Sequence, residues 1–114
     1  MAGVVHIPWY ATVFRGDKFA AAMDEIAPLA LRYGALDYAV YRSRDDRYRF
    51  IQTATFEDKL DFERYWYGEE FGQWRADRTG WYQVPVVYGW WDLTASGGLH
   101  PLAGGVAASE GDTT

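Results

Sequence analysis

GALDYAVYRSRDDRYRFIQTATFEDKLDFERYW, residues 34–66, carries two strand-like runs and a helix start within one continuous segment. Leu36–Arg44 and Arg47–Thr55 are rich in β-branched and aromatic residues and read as strands, with Asp45-Asp46 as the turn between them. A two-residue loop sets Tyr41 opposite Phe50 and Ala39 opposite Gln52 on one face. On the other face it sets Val40 opposite Ile51, Tyr38 opposite Thr53 and Arg42 opposite Arg49. The apolar and aromatic pairs favour the hairpin, whereas facing arginines repel. An anion is therefore expected beside them, either a carboxylate of the protein or an acidic ligand. Phe56–Gly68 reads as a helix, with Glu57 and Asp58 placed where the helix dipole favours negative charge. Phe62, Tyr65, Trp66 and Glu69 share one of its faces.

Upstream, Val4–Phe14 is a nearly continuous apolar and aromatic run, read as a first strand that Pro8 places at an edge or bulge. Asp17 is a candidate N-cap. Phe19, Met23, Ile26, Ala30 and Tyr33 then recur at helical spacing. Pro28 predicts a kink in the middle of this helix, and Gly34 predicts its end. Downstream, Phe71 and Trp74 continue a helical piece beyond Gly68, Thr79-Gly80 marks a turn, and Val84–Leu93 reads as a fourth strand. Residues 95–114 shift to Gly, Ala, Ser and Thr and read as a flexible tail after a domain spanning 1–94.

The order strand, helix, strand, strand, helix, strand is that of an α+β, ferredoxin-like βαββαβ unit, with an antiparallel sheet covered by helices on one face. The first and last strands are apolar on both sides. Val5, Ile7, Trp9 and Ala11 oppose Val4, Pro8 and Tyr10, and Val86, Tyr88 and Trp90 oppose Val87, Trp91 and Leu93. One of these faces would be left wet in a monomer, so a homodimer with its sheets face to face is expected. Periodicity alone does not say which face meets the helices.

Composition narrows the function. The chain has 114 residues, 49% of them apolar, a net charge of −5 and no cysteine. Thiolate chemistry and cysteine-based metal sites are excluded. The acidic balance argues against binding nucleic acid through phosphate charge. No run approaches a membrane span, the N-terminus lacks a basic leader, and a cytoplasmic protein is expected. Gly-rich phosphate loops and GxSxG motifs are absent from the folded part. Scattered carboxylates around one histidine, His6, make no metal ligand set, since His100 lies in the tail. No cofactor is expected. Phe62–Tyr82 holds eight aromatics in 21 positions, interleaved with charges. That mixture suits a pocket for a flat organic ligand, and it also suits an aromatic packing face.

Gly34, Asp45-Asp46, Arg49-Phe50 and Phe56-Glu57-Asp58 together resemble the antibiotic biosynthesis monooxygenase-like proteins of the dimeric α/β barrel superfamily. The resemblance runs over about residues 4–93 and implies a dimeric barrel. The superfamily includes cofactor-independent oxygenases of anthrones and quinols, haem-degrading oxygenases, cyclases, and members without assigned chemistry. Alignment to the haem-degrading branch puts Trp9, Tyr65 and Arg75 where that branch has Asn, Trp and the axial His. Arginine does not ligate iron, so that route is not expected. The helix-two histidine of quinol-type members is also missing, with Tyr65-Trp66 in its region. The resemblance favours the Trp9 face as the helix side. It implies an aromatic small-molecule substrate, with Arg75 and Tyr65 as candidate catalytic residues. His6, the only histidine of the folded part, is a further candidate as a base near neutral pH, or has a structural role at the dimer interface. Trp9, Trp66, Trp74, Tyr38, Tyr88 and Trp90 are the candidate substrate-binding walls. A non-oxidative cyclase, a binding dimer or a purely structural dimer are the alternatives.

Overall fold

The computed structural model describes residues 2–99. Most of the expected tail, His100 included, lies outside the described residues. The chain forms strand β1 (Gly3–Tyr10), helix α1 (Gly16–Ile26), a 3-10 helix (Ala27–Tyr33), β2 (Ala35–Arg42), β3 (Arg49–Phe56), helices α2 (Lys59–Trp66) and α3 (Glu69–Asp77), and β4 (Gly89–Trp91). The four strands form one antiparallel sheet in the order β2-β3-β1-β4. This is the expected ferredoxin-like βαββαβ arrangement.

Alternation along β1 sets the layers. Val5, Ile7 and Trp9 are buried, while His6 and Pro8 are exposed. The buried set meets Phe50, Ala54 and Phe56 of β3 and Phe19, Met23, Ile26, Phe62, Phe71 and Trp74 of the helices in one core. The Trp9 face is therefore the helix side.

Several local expectations are corrected. Asp17 does not cap α1: Arg15 holds the N-cap position without a side-chain bond, and Asp17 lies in the first turn. Pro28 does not kink a long α-helix. It stands at the start of the 3-10 helix that follows Ile26, because it has no N–H to extend the α ladder. Gly34 ends that helix at φ 100, a left-handed position that favours glycine. Pro8 sits in an interior strand rather than at an edge. Ala11 N–H bonds Tyr48 C=O, and Gln83 N–H bonds Tyr10 C=O, so the even-numbered residues address the β4 side. There, pairing with β4 ends at His6↔Gly89, and the missing Pro8 N–H falls just beyond the ladder.

The β2–β3 register is shifted by one residue from the two-residue-loop reading. Arg42 pairs with Phe50, Tyr41 with Ile51, Val40 with Gln52 and Tyr38 with Ala54. The turn is longer because side chains hold it open. Ser43 Oγ accepts from Asp45 and Asp46 N–H, and Asp46 accepts from Tyr48 N–H and the Tyr10 hydroxyl. Arg42 and Arg49 no longer face each other. Arg42 Nη1 instead meets Asp17 at 2.9 Å, a carboxylate of the protein itself.

The second helix starts later than Phe56, which is a buried strand residue. Asp58 caps it by accepting from Leu60 N–H at 3.0 Å. Gly68 then divides α2 from α3, since a Cβ there would run into the Arg64 carbonyl. β1 extends only to Tyr10, and β4 is much shorter than Val84–Leu93. Between Tyr10–Gln83 and His6–Gly89, β1 advances four positions while the returning chain uses six. The surplus cannot enter the ladder, so Val84–Tyr88 bows away from it.

Candidate functional site

The aromatic residues of α2 and α3 converge on Trp9. Its ring centroid lies 5.9 Å from Trp66, 6.2 Å from Phe71, 5.7 Å from Trp74, 5.5 Å from Phe19 and 5.1 Å from Tyr82. These separations suit offset or edge-to-face aromatic packing. Trp9, Tyr65, Trp66 and Trp74 are all buried. Tyr88 extends the cluster, 4.7 Å from Phe62 and 5.7 Å from Trp66, and Trp90 lies over Phe62 at 6.1 Å. The structure thus brings together Trp9, Trp66, Trp74, Tyr88 and Trp90. Tyr38 stands apart, half-exposed on edge strand β2, with β3 between it and the strand of Trp9.

Arg75 lies at the flank of this cluster. Phe71 and Trp74 point inward from α3, and Arg75 follows Phe71 by one helical turn. The break at Gly68 folds α3 back so that Arg75 reaches α2. Its Cζ stands 4.1 Å from the Trp66 ring centroid and 4.9 Å from that of Phe71. Arg75 Nη1 is buried and has no hydrogen-bond partner among the described residues. Nor is a described carboxylate within 4.0 Å of the guanidinium. Burial lowers its proton affinity, and the nearby Tyr82, Tyr67 and Tyr65 oppose that shift. The group remains a cation at neutral pH with an unused, desolvated donor.

Tyr65 behaves differently. Its hydroxyl donates to Ile26 C=O at 2.8 Å and accepts from Gln52 Nε2 at 3.0 Å. Gln52 Oε1 in turn accepts from Trp9 Nε1 at 3.1 Å. This buried chain ties β1, β3, α2 and the end of α1 together. Burial pushes the Tyr65 phenol well above its ordinary range. Gln52 was not among the candidate residues, yet it is fully buried and links two of them. Its signal in the sequence is the lone polar side chain in the inward series Phe50, Gln52, Ala54, Phe56.

His6 occupies the opposite face of the sheet. It packs edge-on to Trp91 at 6.1 Å and lines an apolar cleft of about 340 Å³ with Pro8, Ile51 and Val87. The sheet separates it from Arg75. Among the described residues no group of three or more His, Asp or Glu gathers as a metal site, and no helix is long and apolar enough to cross a membrane.

No family model matches the chain, and no curated protein matches it. Solved structures do. One described as "Putative antibiotic biosynthesis monooxygenase from Nitrosomonas europaea" superposes with a TM-score of 0.70 at 18% identity, covering 90% of this chain and 94% of the other. A variant of SnoaB, a cofactor-independent oxygenase from Streptomyces nogalater, gives 0.71 at 14% identity over 83% and 95%. A protein from Deinococcus radiodurans, described in the same words as the first, gives 0.73 at 11% identity over 87% and 99%. At such identities the likeness is one of architecture: this chain has the ferredoxin-like fold found in antibiotic biosynthesis monooxygenase structures.

Proposed function

We propose that the chain is a cytoplasmic, cofactor-independent monooxygenase that oxidises a flat, electron-rich aromatic such as an anthrone or quinol and works as a homodimer. The observation that carries this reading is Arg75 Nη1: a buried, unpaired donor on a cation held against Trp66 and Phe71. A desolvated cation with a free donor stabilises an oxyanion far better than one in water. A phenol or enol bound there would ionise readily, and its electron-rich ring would react directly with oxygen. For an anthrone the balance closes without a cofactor: the ring CH2 becomes C=O, one oxygen atom enters the ketone, and the other leaves as water. Trp66 and Phe71 supply aromatic surface against the cation, Tyr88 lies 5.7 Å beyond Trp66, and water exclusion would protect the intermediate. The names borne by structures of the same fold support the reaction class.

The dimer rests on the outer sheet face. Ile51, Tyr41, Val87 and Trp91 are exposed there, beside Pro8 and His6. A second copy is the simplest cover for so much apolar surface.

The test is oxygen uptake with an anthrone and quinol panel, with product identified by mass. Stoichiometric uptake giving the ketone or quinone is expected. A folded protein that binds these compounds without consuming oxygen would sink the oxygenase reading. That result would favour the alternative, a non-oxidative cyclase or aromatic-ligand-binding dimer. The close packing of Trp9 and Trp74, which makes them core as much as wall, favours instead the purely structural dimer.

A further inference from the structure

At the hairpin end of the molecule lies a second cleft, of about 360 Å³, lined by Phe14, Gly16, Asp17, Arg42, Arg47 and Tyr48. It is remote in chemistry from the aromatic core. Segments 15–18 and 42–49 hold six of the chain's eleven Lys and Arg but only three of its sixteen Asp and Glu. An acidic protein thus carries one locally basic pole.

Arg42 is fixed at the base of this cleft. Its Nε donates to Arg47 C=O at 2.7 Å, its Nη1 pairs with Asp17 at 2.9 Å, and its Cζ lies 5.2 Å over the Phe50 ring. The third nitrogen, Nη2, would stand 2.8 Å from a Cβ at residue 16. Glycine there is what lets the guanidinium edge reach the cleft. The Arg42 side chain is only 19% exposed, whereas that of its partner Asp17 is 96% exposed. The arginine is therefore held by the fold, and the carboxylate is a removable latch. Arg47 supplies a second cation, anchored through Nη1 to Ser43 C=O at 3.3 Å.

The walls are aromatic. Tyr48 forms one, and its hydroxyl accepts from Phe14 N–H at 3.4 Å. Phe14 forms the other. It is 91% exposed and has φ 69, a left-handed conformation that a bulky residue rarely adopts. Two unfavourable features coincide in one side chain that packs on no core. Strain of this kind concentrates at ligand clamps.

We infer that this cleft is a binding site for a small planar aromatic carboxylate, with the carboxylate on Arg42 and Arg47 and the ring between Phe14 and Tyr48. Guanidinium forks match carboxylates in geometry, and the ligand displaces Asp17 from Arg42. The site does not depend on the Arg75 chemistry.

Calorimetric or NMR titration of the full chain with benzoate, 2-naphthoate, benzyl alcohol and inorganic phosphate tests this. Benzoate and naphthoate should bind at this pole, naphthoate more tightly, and the neutral alcohol should not bind. Arg47→Gln should weaken naphthoate by about fivefold, the size expected for a part-exposed ion pair, and Asp17→Asn should tighten it by a similar factor. Phe14→Gly should raise the melting temperature by relieving the backbone while weakening naphthoate. Phosphate binding as tightly as naphthoate, or affinity indifferent to Asp17→Asn and Phe14→Gly, would overturn the proposal.

Discussion

Arg75 and Trp66 face each other across the α2–α3 break, guanidinium carbon to indole centroid at 4.1 Å, while Arg75 Nη1 stays buried and unpaired among the described residues. An unpaired buried donor is costly in a folded protein, so a position that keeps one invites a functional explanation. Arg75→Met keeps length and apolar contact while removing charge and donor. Oxygen uptake should fall by about a hundredfold, as for loss of an oxyanion-stabilising donor. Thermal stability should hold or rise, because an unsatisfied group has been removed. A large drop in melting temperature with unchanged turnover would assign Arg75 to structure alone.

Tyr65 and Gln52 should prove coupled. Tyr65→Phe removes the acceptor of Gln52 Nε2 and the donor to Ile26 C=O. A cost of about 1–3 kcal/mol follows from orphaning buried polar groups. Gln52→Leu orphans Trp9 Nε1 and removes the donor to the Tyr65 hydroxyl, which keeps its bond to Ile26 C=O. Urea unfolding of both single variants and the double variant should show a non-additive term of at least about 0.5 kcal/mol. Simple additivity would mean that the chain is not a unit.

The outer sheet face offers a test of assembly. Trp91 is 59% exposed and Ile51 36% exposed, flanking the cleft that contains His6. Ile51→Glu places a charge in the centre of the proposed interface without touching the helix-side core. Sedimentation should report a dimer for the parent chain and a folded monomer for the variant. A parent chain that sediments as a monomer at micromolar concentration would remove the dimer from the proposal.

Asp46 gives a pH prediction. The Tyr10 hydroxyl and then the Tyr48 N–H hold its carboxyl below the ordinary range, and the same contact raises the Tyr10 phenol. A depressed carboxyl contributes stability above its unfolded value of about 4, which is lost as pH falls through the lower folded value. A raised phenol contributes below its unfolded value of about 10, which is lost as pH rises through the higher folded value. The contact should therefore help most between those limits. Asp46→Asn should lower the melting temperature at pH 7 and leave it nearly unchanged at pH 2. Equal effects at both pH values would show that Asp46 acts through turn geometry rather than charge.

The element order and the stop at Gly34 were legible in residues 34–66 and their flanks, whereas periodicity left the helix side of the sheet open and only the family resemblance pointed to the Trp9 face. Alternation, helical spacing and the left-handed tolerance of glycine are local properties, and local properties survive in a linear text. The hairpin register was not legible, because Asp46 is recruited by Tyr10, 36 positions away, and that bond lengthens the turn. Nor was the bow at Val84–Tyr88, which arises from a mismatch of two residues between chain segments that meet only in the fold. For the site, the sequence by itself determined which side chains are available: an aromatic concentration, an arginine one helical turn after Phe71, and a single polar residue in an apolar strand face. Tertiary structure alone decided their partners. Packing drew Trp9, Trp66 and Trp74 together and joined Tyr65 to Gln52. It set His6 on the far face and left Arg75 with a donor unmet among the described residues, because solvent exclusion and hydrogen-bond pairing depend on neighbours distant in the chain.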